Sequence, residues 1–175
     1  MLPDLLAPGL DVIFCGTAPG RMSAARGHYY ANPGNRFWAL LEAHAITPRR
    51  LSPAEDHLMP GLGLGLTDLA EKGVAGQDAE IPPGAWRPER LRAHLEHLRP
   101  GAVAFTSLTA ARLALGRRVV AGRGDALAGP LSAGPLSDVA VFVLPSPSGL
   151  ARRHFRDAPW AELGAWLALR REERR

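Results

Sequence analysis

Three stretches of this sequence carry residue types and spacings that could do chemistry. The first is Phe14-Cys-Gly-Thr-Ala-Pro-Gly20, followed by His28-Tyr-Tyr-Ala-Asn-Pro-Gly-Asn-Arg-Phe-Trp38. Its glycines let backbone N–H groups approach a ligand closely, and the adjacent Tyr29 and Tyr30 offer flat surfaces on which a nucleobase could stack. A packed loop whose aromatics complete the core would have the same composition. The second is Leu144-Pro-Ser-Pro-Ser-Gly-Leu-Ala-Arg-Arg-His-Phe-Arg156, in which a proline turn presents Leu150 beside Arg152, Arg153 and Arg156. An apolar wedge with guanidinium clamps is what unstacking a duplex and holding its phosphates requires; a β-turn with solvated charges is the alternative. The third is Asp68, a lone carboxylate that serves either as a loop cap or as a general base.

Other candidates are weaker. Gly61-Leu-Gly-Leu-Gly65 precedes an apolar run instead of following one, against the order a dinucleotide-binding turn needs. His94 and His97 stand three apart with no third ligand nearby, so a polar helix face is expected and no metal site. Cys15, the one cysteine, excludes an internal disulfide, a four-thiolate zinc site and an iron–sulfur cluster, and its apolar neighbours place it in the core. All but one of the 21 basic side chains are arginine, and the single lysine, Lys72, lies outside any phosphate-binding GK[ST] loop. Pro147-Ser148-Gly149 does not form the G-x-S-x-G elbow of a serine hydrolase. Chemistry by ordinary side chains, without cofactor or metal, is the expectation.

The elements that must position these residues follow from hydrophobic patterning. The 175 residues, 46% of them hydrophobic, suit one domain over 1–175. No apolar run reaches a membrane span, and Met-Leu-Pro-Asp is not a secretory start, so a soluble, cytoplasmic protein is expected, without membrane contact. Asp11–Cys15, Gly65–Ala70, Gly101–Thr106 and Asp138–Leu144 read as buried strands. Helices are expected from Asn35 as N-cap, from Ser52-Pro53, from Pro88 with Leu91, Leu95 and Leu98 in one stripe, over Ser107–Leu115, and from Ala158 capped by Asp157. Residues 72–87 read as a surface loop and 116–137 as turns or a hairpin. Apolar strands alternating with helices indicate a parallel sheet covered on both faces, with ligands at the carboxyl ends of its strands. That rule makes the loop after Cys15, the end of the second strand and the loop after Leu144 converge.

Taken together these segments resemble the mismatch-specific uracil-DNA glycosylase and thymine-DNA glycosylase family. The resemblance runs from Asp4-Leu-Leu-Ala-Pro-Gly-Leu through Val12-Ile-Phe-Cys-Gly, Asn35-Arg-Phe-Trp38 and Gly65-Leu-Thr-Asp-Leu69 to Leu144-Pro-Ser-Pro-Ser-Gly-Leu150, nearly the whole chain. It implies a three-layer α/β/α sandwich around a four-stranded parallel sheet. The implied activity is monofunctional hydrolysis of the N-glycosidic bond of uracil in double-stranded DNA, at G·U mismatches and other damaged bases, by a monomer working at the nucleoid of a bacterial-type cytoplasm. The flipped base would occupy a pocket of Gly16, Thr17, Ala18, Gly20, Ser23 and Tyr30, and Ser146, Ser148, Gly149, Leu150, Arg152 and Arg153 would contact DNA. The positive excess, largest in residues 21–50 and recurring in 146–160, suits that assignment.

Two departures from the family pattern stand out. The family's Gly-x-Asn-Pro-Gly motif uses its asparagine to position the attacking water, and Ala18 occupies that position here. The last motif, usually Asn-Pro-Ser-Gly-Leu-Ser, has Ser146 and Ala151 at its first and last positions. Asp68 is therefore expected to supply the catalytic carboxylate. The alternatives are a damaged-DNA-binding module that has lost catalysis, and a glycosylase for hypoxanthine-type bases.

Overall fold

Residues 2–124, 131 and 136–175 are described by the computed structural model. The strands are β1 (Val12–Gly16), β2 (Leu64–Asp68), β3 (Ala102–Phe105), β4 (Gly122–Gly124) and β5 (Ala140–Val143), in one sheet ordered β2-β1-β3-β5-β4. The helices are α1 (Arg21–Arg26), α2 (Phe37–Ala43), α3 (Pro88–Leu98), α4 (Leu108–Leu115) and α5 (Ala158–Glu173). β2, β1, β3 and β5 pair in parallel, as patterning predicts, while β4 adds an antiparallel edge strand beside β5. The sheet thus has five strands and not four. Gly-Arg-Gly has no apolar alternation to announce a strand; backbone pairing with β5 holds it, with the Glu162 side chain accepting from Arg123 N–H and the Arg123 guanidinium over Phe142. Of the turns expected over 116–137, residues 125–130 and 132–135 lie outside the described residues.

Period-2 alternation builds the three layers. Val12, Phe14, Leu64, Leu66, Ala102, Ala104 and Phe142 face one side, where they meet Phe37, Trp38 and Leu41 of α2 and Trp160, Leu163 and Leu167 of α5. Ile13, Cys15, Val103, Phe105, Val141 and Val143 face the other, against Leu91 and Leu95 of α3 and Ala110, Ala111 and Ala114 of α4. Both faces are covered, which is why these strands read as continuous apolar runs.

Local signals at the helix ends are mostly realised. The N-cap of α2 is Arg36 and not Asn35, because the helix starts one residue later than expected, although Asn35 Oδ1 still accepts from Phe37 N–H at 2.9 Å; Ser107 does cap α4, its Oγ accepting from Ala110 N–H at 3.0 Å. Pro53–Leu58 is a 3₁₀ helix, with Glu55 accepting from Ser52 N–H. Asp157 does not cap α5: its carboxylate instead bonds His44 Nε2 at 2.8 Å, tying α5 to the end of α2. Segment 72–87 includes the 3₁₀ turns Asp78–Glu80 and Pro83–Ala85, and it is anchored by buried Ile81 and Ala85. No helix among the described residues is long and apolar enough to cross a membrane.

Candidate active site at the carboxyl ends of the sheet

Parallel register places Gly16 opposite Asp68 and Cys15 opposite Phe105, so Asp68 and Thr106 flank the end of β1. A Cβ on Gly16 would lie 2.6 Å from Asp68 Oδ1, 3.3 Å from Thr106 Oγ1 and 3.4 Å from the Tyr30 hydroxyl. Three oxygens therefore close around one α-carbon, and only glycine leaves them room. The Tyr30 hydroxyl and Thr106 Oγ1 are hydrogen-bonded at 2.9 Å.

Tyr30 reaches this place through a left-handed backbone, φ 50°, which costs a side chain of this size about 1–2 kcal/mol. Its surroundings hold it there. The ring stacks on Phe37, with centroids 3.9 Å apart and planes inclined by 19°; Tyr29 N–H donates to Asp56 before it and Ala31 N–H to Ser23 Oγ after it. Backbone strain fixed by neighbours on both sides is typical of a functional position.

Asp68 is 7% exposed and lines a cavity of about 140 Å³ with Leu2, Pro19, Ala24, Lys72 and Val74. No described residue donates a hydrogen bond to its carboxylate. Burial pushes its pKa up to about 7, with Lys72 and Arg90 opposing and Asp4 assisting the rise. Asp4 behaves oppositely. Burial works against its charge too, but hydrogen bonds from His94, Lys72 and Thr67 hold its carboxyl well below the usual range. Arg90 donates to Asp4 Oδ2 and, through its other arm, to the carbonyls of Asp68 and Ala70, which fixes the chain that carries Asp68. One carboxylate is fully engaged and structural; the other is bare, buried and poised near neutrality, the environment of a general base.

The expected pocket residues Gly16, Thr17, Ala18, Gly20, Ser23 and Tyr30 do not line this cavity. Thr17 Oγ1 donates to Asp78 at 2.6 Å, and its carbonyl receives Ala70 N–H. Ala18 is half-buried next to it, Gly20 precedes α1 on the surface, and Ser23 is buried with its hydroxyl committed to the Tyr30 loop. His94, expected on a polar face, is half-buried against Asp4, whereas His97 is exposed. No group of three or more potential metal ligands occurs among the described residues, and Cys15 is buried in the core.

The loop after β5 is shaped from within. Ser146 Oγ accepts from Ser148 N–H and Ser148 Oγ from Leu150 N–H, both at 3.2 Å, and Trp160 Nε1 donates to the Pro145 carbonyl. These bonds open a 3₁₀ turn, Gly149–His154, that leaves Leu150 81% exposed and carries the exposed Arg152 and Arg153. Gly149 lies so close to the Gly34 carbonyl that a Cβ would come within 3.1 Å of it, and Arg36 N–H donates to the Pro147 carbonyl. The Arg36 guanidinium rests on the Phe155 ring at 3.9 Å.

Residues 3–170 match the family described as the uracil DNA glycosylase superfamily. The chain belongs to that superfamily. Its members' chemistry makes it a DNA glycosylase by family, with DNA as its partner. The fold is shared with a candidate uracil DNA glycosylase from Methanosarcina acetivorans, known from a solution NMR structure, at a TM-score of 0.62 and 19% identity over 95% of this chain and 96% of that one. The sequence singles out Asp68, Tyr30 and the Leu150 loop, but not the bonds of Thr106 to Tyr30 or of Asp4 to Lys72 and Arg90. Thr106 ends a strand whose sequence reads as pure core. Asp4 is far in sequence from each of its partners, although a charged residue inside an otherwise apolar amino-terminal stretch was a usable sign.

Proposed function

We propose that this protein is a mismatch-specific uracil-DNA glycosylase related to the thymine-DNA glycosylase branch, a single-domain monomer over 1–175 acting at the nucleoid in the cytoplasm on double-stranded DNA that contains uracil. The observation that carries this reading is the bare carboxylate of Asp68, buried in a cavity at the strand ends, in a chain whose Ala18 replaces the family's asparagine.

In this mechanism Leu150 enters the duplex, Arg152 and Arg153 hold phosphates, and the uracil nucleotide is extruded toward Gly16, Thr17, Ala18 and Gly20. Phe37 covers one face of Tyr30, so the other face receives the base. As the C1′–N bond lengthens, its electron pair leaves with uracil and positive charge gathers on the sugar. Ionised Asp68 stabilises that charge and takes a proton from the water that forms the new O–C1′ bond. Lys72, the only lysine, lines the same cavity, but its ammonium is bonded to the Leu2 carbonyl and Asp4, which supports hydrolysis without a Schiff base.

Single-turnover excision on oligonucleotides with G·U, A·U, G·T, single-stranded U and hypoxanthine tests the proposal. G·U should be cut and Asp68→Asn should abolish cutting while leaving binding. Binding with no excision of any base by the parent would instead support the module reading that Ala18 suggests, and preference for hypoxanthine would move the substrate to a deaminated purine.

A further inference from the structure

The amide that Ala18 lacks had two capacities, to accept and to donate. Asp68 supplies acceptors alone. On the opposite side of Gly16 stand two hydroxyls, Tyr30 OH and Thr106 Oγ1, bonded to each other at 2.9 Å. Two hydroxyls carry two hydrogens, and their mutual bond uses one. Tyr30 OH and Thr106 Oγ1 have no other hydrogen bond among the described residues, so the second hydrogen is left without an acceptor. Thr106 is 3% exposed and Tyr30 is half-buried, so this hydrogen sits in a largely enclosed place. A Cβ on Gly16 would lie within 3.4 Å of all three oxygens, so the hydroxyl pair and the carboxylate converge beside this glycine.

We infer that Thr106 and the Tyr30 hydroxyl form a positioning pair that holds the nucleophilic water against Asp68. The inference rests on the glycosylase reading with Asp68 as base. The free hydroxyl hydrogen is donated to one lone pair of the water, and the water donates one hydrogen to Asp68. Its remaining lone pair points at C1′. In the step that follows, the O–C1′ bond forms, the C1′–N bond breaks with its electron pair going to the base, and the proton passes to Asp68; the hydroxyl pair neither gains nor loses a proton. Tyr30 thereby acts twice, through its ring toward the base and through its hydroxyl toward the water. The left-handed backbone that delivers the phenol to Thr106 is the structural condition for both.

Four single variants and the Tyr30→Phe, Thr106→Val double variant, assayed under single-turnover conditions on a G·U duplex, test this. Tyr30→Phe keeps the ring and removes the hydroxyl; Thr106→Val keeps the shape and removes the hydroxyl; Thr106→Ser keeps a hydroxyl; Asp68→Asn removes the base. Each of the first two should slow the chemical step roughly 10- to 100-fold, the range of one hydrogen bond made to a reacting group. Duplex affinity should be unchanged. The double variant should be no slower than the worse single, because either deletion breaks the same pair. Thr106→Ser should cut at close to the parental rate. The pair is refuted if Tyr30→Phe and Thr106→Val cut at the parental rate, or if Thr106→Ser falls as far as Thr106→Val, which would mark a packing role. If Asp68→Asn is inactive while the hydroxyl variants are fully active, this inference alone fails; if Asp68→Asn is fully active, the Asp68 mechanism fails and this inference with it.

Discussion

Asp4 and Asp68 share the influence of the same two cations, Lys72 and Arg90, yet they are driven in opposite directions. Lys72 and Arg90 both bond the carboxylate of Asp4, whereas neither bonds that of Asp68, which Arg90 meets only at its carbonyl. Asp4 is held ionised while Asp68 is held near the point of protonation at neutral pH. Two carboxyls whose surroundings push them apart is the pattern of a site with a structural and a reactive acid.

The pH profile should follow Asp68. Its ionised form is the base, so single-turnover excision should rise tenfold per pH unit below about 7 and level off above it. Asp68→Asn should lose about 10²- to 10⁴-fold at the plateau. A rate that stays flat from pH 5 to 8 would remove Asp68 from the proton transfer.

Stability should carry the opposite signature. The folded-state pKa of Asp68 is raised, so the native protein binds this proton more tightly than the unfolded chain. Below about pH 4 both states are protonated and nothing is lost; as pH climbs from there to about 7, native stability falls, by at most about 4 kcal/mol above pH 7. Asp68→Asn removes that penalty. Thermal melts should show the variant more stable than the parent at pH 8, by a margin that closes at pH 4.

Removing Asp4 should do two things at once. Asp4→Asn leaves Lys72, Arg90 and His94 without their shared anchor, and breaking so enclosed a network should lower stability at pH 7 by at least about 2 kcal/mol. It also deletes a negative charge that raises the Asp68 pKa and releases two cations that lower it. The acid limb of the activity profile should therefore move to lower pH, measurable in the same single-turnover series.

Gly16→Ala should be damaging far beyond one methyl. The added carbon meets Asp68 Oδ1 at 2.6 Å, so either the carboxylate turns away or the strands part, at about 1–3 kcal/mol in a urea melt. Excision should be lost even in the fraction that remains folded.

Leu150→Ala should separate DNA work from stability. The side chain is 81% exposed, so the melting curve should shift by less than about 0.5 kcal/mol. Excision from duplex should fall relative to excision from single-stranded DNA, which needs no wedge. Arg152→Ala and Arg153→Ala should each reduce the salt slope of duplex binding by about 1.

The layers were legible because both sheet faces are covered, which turns Val12–Cys15 and Val141–Val143 into unmistakable apolar runs. β4 was not, since a Gly-Arg-Gly edge depends on its partner's backbone and leaves no pattern. Asp68 could be singled out because a carboxylate ending an apolar strand is costly and needs a reason. Thr106 could not, because threonine at a strand end is ordinary and its importance comes from a phenol 76 positions away in the chain. The same holds for Asp4, whose partners lie 63 to 90 residues distant.

The bond from Arg36 N–H to the Pro147 carbonyl, with Gly149 seated against Gly34, joins the turn that bears Leu150 to the segment leading from Tyr30. On the proposed reading, the part that pushes a nucleotide out and the part that receives it are geared as one rigid tool. Extrusion and capture then need no separate closing motion, and a longer Pro147–Leu150 turn would uncouple them, leaving an enzyme that opens DNA without catching what it ejects.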